Sequence, residues 1–458
     1  MKKKILHYFS CLLLLLSGCT EFLELKPDVR LSTPETLADL RALLNDEPAT
    51  HRNYIGMLEF GVDDYFIPYA VWAGHKTFYQ DVYLWKPDPQ HETVDANHMW
   101  TNTYNAVAIF NIVLETLVRN KLEGSELANQ LKGEALFNRS LHFFYLIQVY
   151  ATAYNPSSAA TDLGIPLRLS SSINQQTRRA TLAECYDRIL ADLLAATELL
   201  PESTGYLTRP TKAAAYGLLS RVYLAMGNFP QSLLYAESGL KAHPQLWDYN
   251  TLDLNSRFAF PILENIEILY FGLSTRSSFL LANSSANADS LLYSSFANDD
   301  LRKKAFFVTK KDGYQTFNGQ YSGYGSGFFA GIASSELYLN KAECLMRLDR
   351  LQEGMDVLNQ LLAKRWKTGT FTPFLISDKS STLKLLFAER RKELIRRGLR
   401  WMDLKRLNRE PEFAKTLVRK LLIDGKEEVY ELPPNDLRYV HLIPQTVVDL
   451  TGIPQNPR

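Results

Sequence analysis

At 458 residues the chain is long enough to bury a large core, as two or three domains or as one extended array. Hydrophobic residues make up 46% and charged residues 22%, the balance of a folded body and not of a disordered one. The net charge of +1, with no basic run outside short helix ends, excludes a field that would gather nucleic acid. Aromatics at 12% suit packed helices and equally an aromatic ligand surface.

The first residues read as an address. Lys2-Lys3-Lys4 is a basic start, and Ile5 to Leu16 is an apolar run too short to span a membrane. Leu16-Ser17-Gly18-Cys19 resembles a bacterial lipobox, with residues 1–18 removed and Cys19 lipidated. Several acyl chains on one residue anchor stably, since each buried methylene adds about 0.8 kcal/mol. Cys11 leaves with the leader, so Cys185 and Cys344 remain. Both sit in helical patterns without CxxC spacing, and both read as small buried hydrophobes rather than a disulfide or zinc ligands.

Thr33-Pro34-Glu35 to Leu44 reads as a capped helix with Leu37, Leu40 and Leu44 facing in. From Asn45 to Gln90 the helical period is lost and aromatics mix with turn residues, predicting a long packed loop of the kind that carries function. Trp100 to Val118 and Gly133 to Tyr150 read as helices. Leu182 to Leu200 follows the three-four spacing almost throughout, with Thr181 and Glu184 as a capping box and Pro201 as its stop.

The next unit points to the architecture. Tyr216, Leu219, Ser220 and Tyr223 are followed by Gly227, Ser232, Ala236 and Pro244, the large-small-aromatic spacing of a tetratricopeptide hairpin. Tyr338, Ala342 and Leu345, a turn at Asp349, then Gly354 and Leu358 repeat it. Each hairpin needs a neighbour to bury its second face, so an all-α stack of hairpins is predicted. The stretch 246–331 interrupts the repeat. Its segment Tyr314 to Gly331 is too rich in glycine for a helix and predicts loops or short strands.

Leu383 to Leu407 closes the scaffold. Leu383, Leu386, Phe387, Leu394 and Trp401 form one apolar stripe, and Arg390 falls inside it. A cation there needs a buried carboxylate or carbonyl partner. Glu393 precedes Arg396 and Arg397 at ion-pair spacing, and Arg396-Arg397-Gly398 reads as a helix end.

Glu389-Arg390-Arg391-Lys392-Glu393-Leu394, with Gly398-Leu399-Arg400-Trp401-Met402-Asp403-Leu404-Lys405-Arg406, resembles the C-terminal signature of the SusD/RagB family of outer-membrane nutrient-binding lipoproteins. Arg397 and Met402 depart from it, standing where a glutamate and an aromatic are usual. Thr20 to Pro27 resembles the opening of mature chains of that family. The resemblance implies a tetratricopeptide-like scaffold with irregular loop insertions, organised as an N-terminal helical region 19–245 with an aromatic loop 45–90, an insertion 246–331 and a C-terminal region 332–458. It also implies a lipid-anchored protein on the outside of the outer membrane, handing an oligosaccharide or peptide to a SusC-like TonB-dependent transporter.

No H-E-x-x-H, G-x-S-x-G or P-loop is present, and His91 and His98 lack companions for a metal site, so neither enzyme nor cofactor is expected. Asp63-Asp64 suits a turn or cap, or a calcium or hydroxyl-binding pocket. Sugars need flat rings for their C–H faces and polar groups for their hydroxyls. The loops 63–85 and 314–329 supply both: Trp72, Tyr79, Tyr83, Trp85, Tyr321 and Tyr324 as platforms, and Asp64, Asn318 and Gln320 as polar partners. Plain packing of each ring against helices is the competing expectation. A repeat scaffold for a cell-envelope protein complex, which keeps the helices and discards the loop argument, is the alternative function. A surface hydrolase would need an acid pair or nucleophile that no motif shows.

Overall fold

The computed structural model describes residues 33–458 apart from 53, 55, 88–93, 175, 257, 275–280, 283, 320 and 324–326, and apart from the side chains of 94–97. The leader, Cys19 and His91 therefore lie outside the described residues.

The predicted hairpin stack is present. Helix α1 (Leu37–Leu44) starts at Thr36, whose side chain and Asp39 form a reciprocal cap, and its Leu40 and Leu44 pack on Phe110, Val113 and Leu131. Helices α2 (Val94–Arg119) and α3 (Glu126–Tyr150) extend beyond the apolar stretches that announced them. Ser125 caps α3, and its last turns are buried on every side. Gly133 stays inside α3 because Leu199 and Leu200 approach the position where a Cβ would stand to 3.1 Å and 3.0 Å. Helix α4 (Leu182–Leu199) carries the Thr181–Glu184 capping box as expected.

Helices α5 (Lys212–Met226) and α6 (Phe229–Ala242) turn at Gly227, whose φ of 74° is open to glycine at little cost. Ser232 donates to the Ser220 carbonyl at 2.9 Å, so the small residues bring the two helices together. Helices α7 (Ser334–Arg347) and α8 (Leu351–Ala363) repeat the hairpin around Asp349, at φ 63°. Consecutive helices from α2 to α6 pack on one another, and α6 packs on α7 across the intervening chain. Cys185 and Cys344 are free, buried thiols, as expected.

Helix α9 (Lys379–Glu393) ends earlier than the sequence suggests. The chain leaves the helix at Leu394, and Arg396 (φ 59°) and Gly398 (φ 71°) both take the left-handed conformation before α10 (Arg400–Leu407). This sharp turn, and not a simple glycine cap, points the arginines in different directions.

The irregular segments form two-stranded antiparallel pairs. Strand β1 (Tyr65–Phe66) pairs with β5 (Asn287–Ala288), joining the first loop to the insertion. Within the chain, β2 (Leu163–Pro166) pairs with β3 (Arg179–Thr181), β4 (Ile268–Tyr270) with β8 (Ile332–Ala333), and β6 (Phe307–Thr309) with β7 (Gln315–Phe317). The hairpin β9 (Leu417–Ile423) to β10 (Lys426–Leu432) was not anticipated. Its signal was Asp424-Gly425, both at positive φ, the residues a tight hairpin turn favours. No helix among the described residues is long and apolar enough to cross a membrane.

Candidate functional site

The signature around α9 and α10 is where both loops meet the scaffold. Arg390, the cation inside the apolar stripe, has the buried partners its position demands: Asp403 at 2.8 Å and Asn340 at 2.8 Å. Arg406 binds Glu343 through both terminal nitrogens and Asp403 through Nε. These contacts bind α7, α9 and α10 into one unit.

Glu393 does something other than its spacing suggested. Arg397 lies 3.8 Å from it and Arg396 pairs elsewhere, while its principal partners are Arg365 at 2.9 Å and Arg302 at 3.4 Å. Arg302 belongs to the insertion and also binds Asp300 and Glu389; Arg365 follows α8 and also binds Glu267. Burial alone would raise the Glu393 carboxyl, but Arg365 and then Arg302 outweigh it and hold the group at about 2.

The first loop is fixed by the same signature. Asp63 receives both guanidinium arms of Arg400, at 2.8 Å and 2.9 Å, and Lys415 at 2.7 Å. Burial would raise its carboxyl, but Arg400 and Arg391 hold it well below the usual range. Arg391 donates to Asp64 at 2.8 Å and to the Asp63 carbonyl at 2.6 Å. Glu59 accepts from the Gly398 amide at 2.6 Å and pairs with Arg396 at 3.5 Å. Arg396 lies over Tyr65 of the first loop and Phe328 of the insertion, 4.5 Å and 5.5 Å from their centroids.

The carboxylates Asp63 and Asp64 thus bind arginine. Among the described residues no cluster of His, Cys, Asp or Glu is arranged to hold a metal ion.

Most of the predicted rings are interior. Tyr83 is fully buried, accepts from the Ile67 amide at 2.9 Å and lies under Arg419 at 3.6 Å. Trp85 donates to the Gly61 carbonyl at 3.0 Å under the same arginine. Tyr79 packs edge-on against Phe60 and Phe78. Tyr321 is buried beneath Arg397, 3.5 Å from its centroid, and donates to Glu267. Asp64 is buried on Arg391. In this conformation these groups hold the loops in place and offer no face to a ligand. Asn318 is half-buried, its amide donating to the Phe306 carbonyl. Gln320 and Tyr324 lie outside the described residues.

Trp72 differs. It is half-exposed, stacks on half-exposed Tyr69 (5.8 Å, 29° between planes) and donates to the Gln80 carbonyl at 3.2 Å. Nearby in sequence, half-exposed Phe66 meets Tyr314 of the insertion edge-on at 5.5 Å, and Tyr314 is 48% exposed. Tyr69, Phe66 and Tyr314 were missed as platforms. The signal for Phe66 was the alternation Tyr65, Phe66, Ile67, which in a strand turns the middle ring outward. What these rings can do chemically is stack and hydrogen-bond.

Residues 21–224 match a family described as starch-binding and associating with the outer membrane, and residues 293–439 match the SusD family. No curated protein sequence matches the chain. Solved structures show the same fold. A SusD superfamily protein from Bacteroides thetaiotaomicron VPI-5482 superposes with a TM-score of 0.74 at 21% identity, over 92% of this chain and 100% of the other. A SusD superfamily protein from Bacteroides vulgatus ATCC 8482 gives 0.75 at 21% over 93% and 99%. A putative sugar-binding protein from the same strain gives 0.73 at 22% identity, again over 93% and 99%.

Proposed function

The chain belongs to the SusD/RagB family, and we propose on that premise that it captures an oligosaccharide at the cell surface, tethered through lipidated Cys19, and delivers it to a SusC-like TonB-dependent transporter. The observation that carries this reading is the junction of the two loops. Strand pairing of β1 with β5 and the arginines of the signature fix the loops side by side, leaving Tyr69, Trp72, Phe66 and Tyr314 partly open. Rings held by a rigid support cost little entropy to bind with, and a carrier that must release its cargo needs only modest affinity. Binding here involves no covalent step.

Titration of the purified mature chain with a panel of oligosaccharides tests the reading. Trp72→Ala and Tyr314→Ala each weaken binding of the recognised glycan about fivefold to thirtyfold, because a stacked ring is worth about 1–2 kcal/mol, and leave stability nearly unchanged. Tyr83→Ala instead destabilises the fold by about 3–5 kcal/mol. Unaltered glycan binding in both exposed-ring variants would contradict the assignment.

A further inference from the structure

The hairpin of β6 and β7 brings charge to the ring surface. From 301 to 317 the chain carries Arg302, Lys303, Lys304, Lys310 and Lys311 against one carboxylate, Asp312. Arg302 is neutralised in the interior by Asp300, Glu389 and Glu393. The four lysines are half-exposed or exposed. This edge of the insertion is therefore basic, although the whole chain is nearly neutral.

Lys310 is the lysine held against the rings. It stands opposite Tyr314, one step beyond the Thr309–Gln315 pair, and its amide donates to the Tyr314 carbonyl at 2.8 Å. Side chains directly opposite in an antiparallel pair share a face. That face is turned towards β5 and β1. Thr316 donates to the Ala286 carbonyl at 2.8 Å, Lys310 Nζ donates to Asn287 Oδ1 at 2.8 Å, and Tyr314 meets Phe66, the register partner of Asn287. A neutral amide thus fixes the amine beside the Phe66–Tyr314 pair.

The charge of that amine is only partly answered. An ammonium has three hydrogens to donate. Asn287 takes one, Asp312 lies 3.2 Å away, and 18% of the side chain stays open. Asp312 is itself 49% exposed and accepts from the Tyr314 amide at 3.1 Å. An ion pair so open to water holds its members weakly. Lys311, next in the turn, is exposed and has no side-chain partner among the described residues. Asp289, the carboxylate that follows β5, accepts from the Leu292 amide at 2.8 Å and lies 3.7 Å from Arg391.

We propose that the glycan taken at this surface is acidic: one of its rings stacks on Tyr314 and Phe66 while its carboxylate or sulfate group meets Lys310, with Lys311 adding charge. The inference rests on the loop reading and gives it a ligand class. An acidic group forms a charge-assisted hydrogen bond with an amine that is already held in place, so little order has to be imposed on binding.

Calorimetric titration of the mature chain tests it, with oligogalacturonate and oligoalginate as carboxylate probes and chondroitin sulfate as the sulfate probe. Their methyl-esterified and desulfated forms are the counterparts that lack the group in question. At least one acidic probe binds about tenfold tighter than its counterpart. That preference shrinks as salt rises from roughly 0.1 M to 1 M, where the Debye length falls from about 10 Å to about 3 Å. Lys310→Gln reduces the preference about tenfold, the worth of a hydrogen bond to a charged group, and Lys311→Gln about twofold to threefold. The salt series on the wild-type chain and the exposed Lys311 variant do not depend on how the Lys310 variant folds. Equal binding of the acidic probes and their counterparts overturns the proposal, as does a preference that survives high salt or Lys310→Gln. If a neutral glycan binds better than every acidic probe, and Trp72→Ala and Tyr314→Ala weaken it, the acidic class falls and the loop reading stands. Binding of no glycan at all removes both.

Discussion

Glu393 shows how much a single buried carboxylate organises. It is fully buried and faces Arg365 and Arg302, which come from different parts of the chain. Glu393→Gln leaves both guanidinium groups short of charge in a dry interior and costs about 3–5 kcal/mol, read by urea denaturation. Glu59 behaves oppositely. Burial raises it to about 7 from an ordinary 4.5, with Arg396 pulling it back and Asp64 adding to the rise. The folded state therefore holds this proton more tightly than the unfolded chain does. Its stabilising contribution is full below pH 4.5 and is lost as pH rises through 7, by up to about 3 kcal/mol. Stability measured across that window falls for the wild type relative to Glu59→Gln; parallel curves for the two would contradict the assignment. Of these residues the sequence revealed Arg390's need for a partner, since an isolated cation in an apolar stripe is a local signal. It did not reveal Glu59, Arg302, Arg365 or Arg419, whose partners are far away in the chain. Glu59, between Leu58 and Phe60, left a trace as a charged residue flanked by apolar ones, as did Glu267 between Ile266 and Ile268; Arg302, Arg365 and Arg419 each have a lysine neighbour and left none.

At the scale of elements, legibility followed locality. The capping box of α4, the Gly227 turn and the two tetratricopeptide hairpins depend on residues a few positions apart, and each appears where its pattern placed it. Gly354 illustrates why the hairpin needs its small residues. A Cβ there would stand 2.6 Å from Met346 Cγ and 2.9 Å from the Ala342 carbonyl. Alanine is the better helix former by about 1 kcal/mol, yet Gly354→Ala destabilises by about 1–3 kcal/mol because the α7 backbone cannot retreat. A melting temperature above that of the wild type would show that α7 and α8 do not approach this closely. The end of α9 was misjudged because the turn through Arg396 is fixed by Glu59 and by the rings of Tyr65 and Phe328, none of them local.

Across the whole molecule, the helices supply a frame and the signature joins two distant irregular segments to it. Composition and motif spacing disclosed the frame and the aromatic wealth of the loops. They did not separate rings that brace from rings that face outward. Tyr83 and Trp72 have equally plausible surroundings in sequence, but Tyr83 is enclosed by Tyr65, the Ile67 amide and Arg419, which arrives from β9. The proposed role is that of a tethered receptor working with a transporter. The most direct test is gentle detergent extraction of the lipidated full chain from its native cells through a C-terminal tag, followed by identification of what accompanies it. A TonB-dependent barrel in near-equal amount is the expected result. A different envelope protein in its place, with no barrel, would contradict it and favour a repeat scaffold whose aromatic loops serve packing alone.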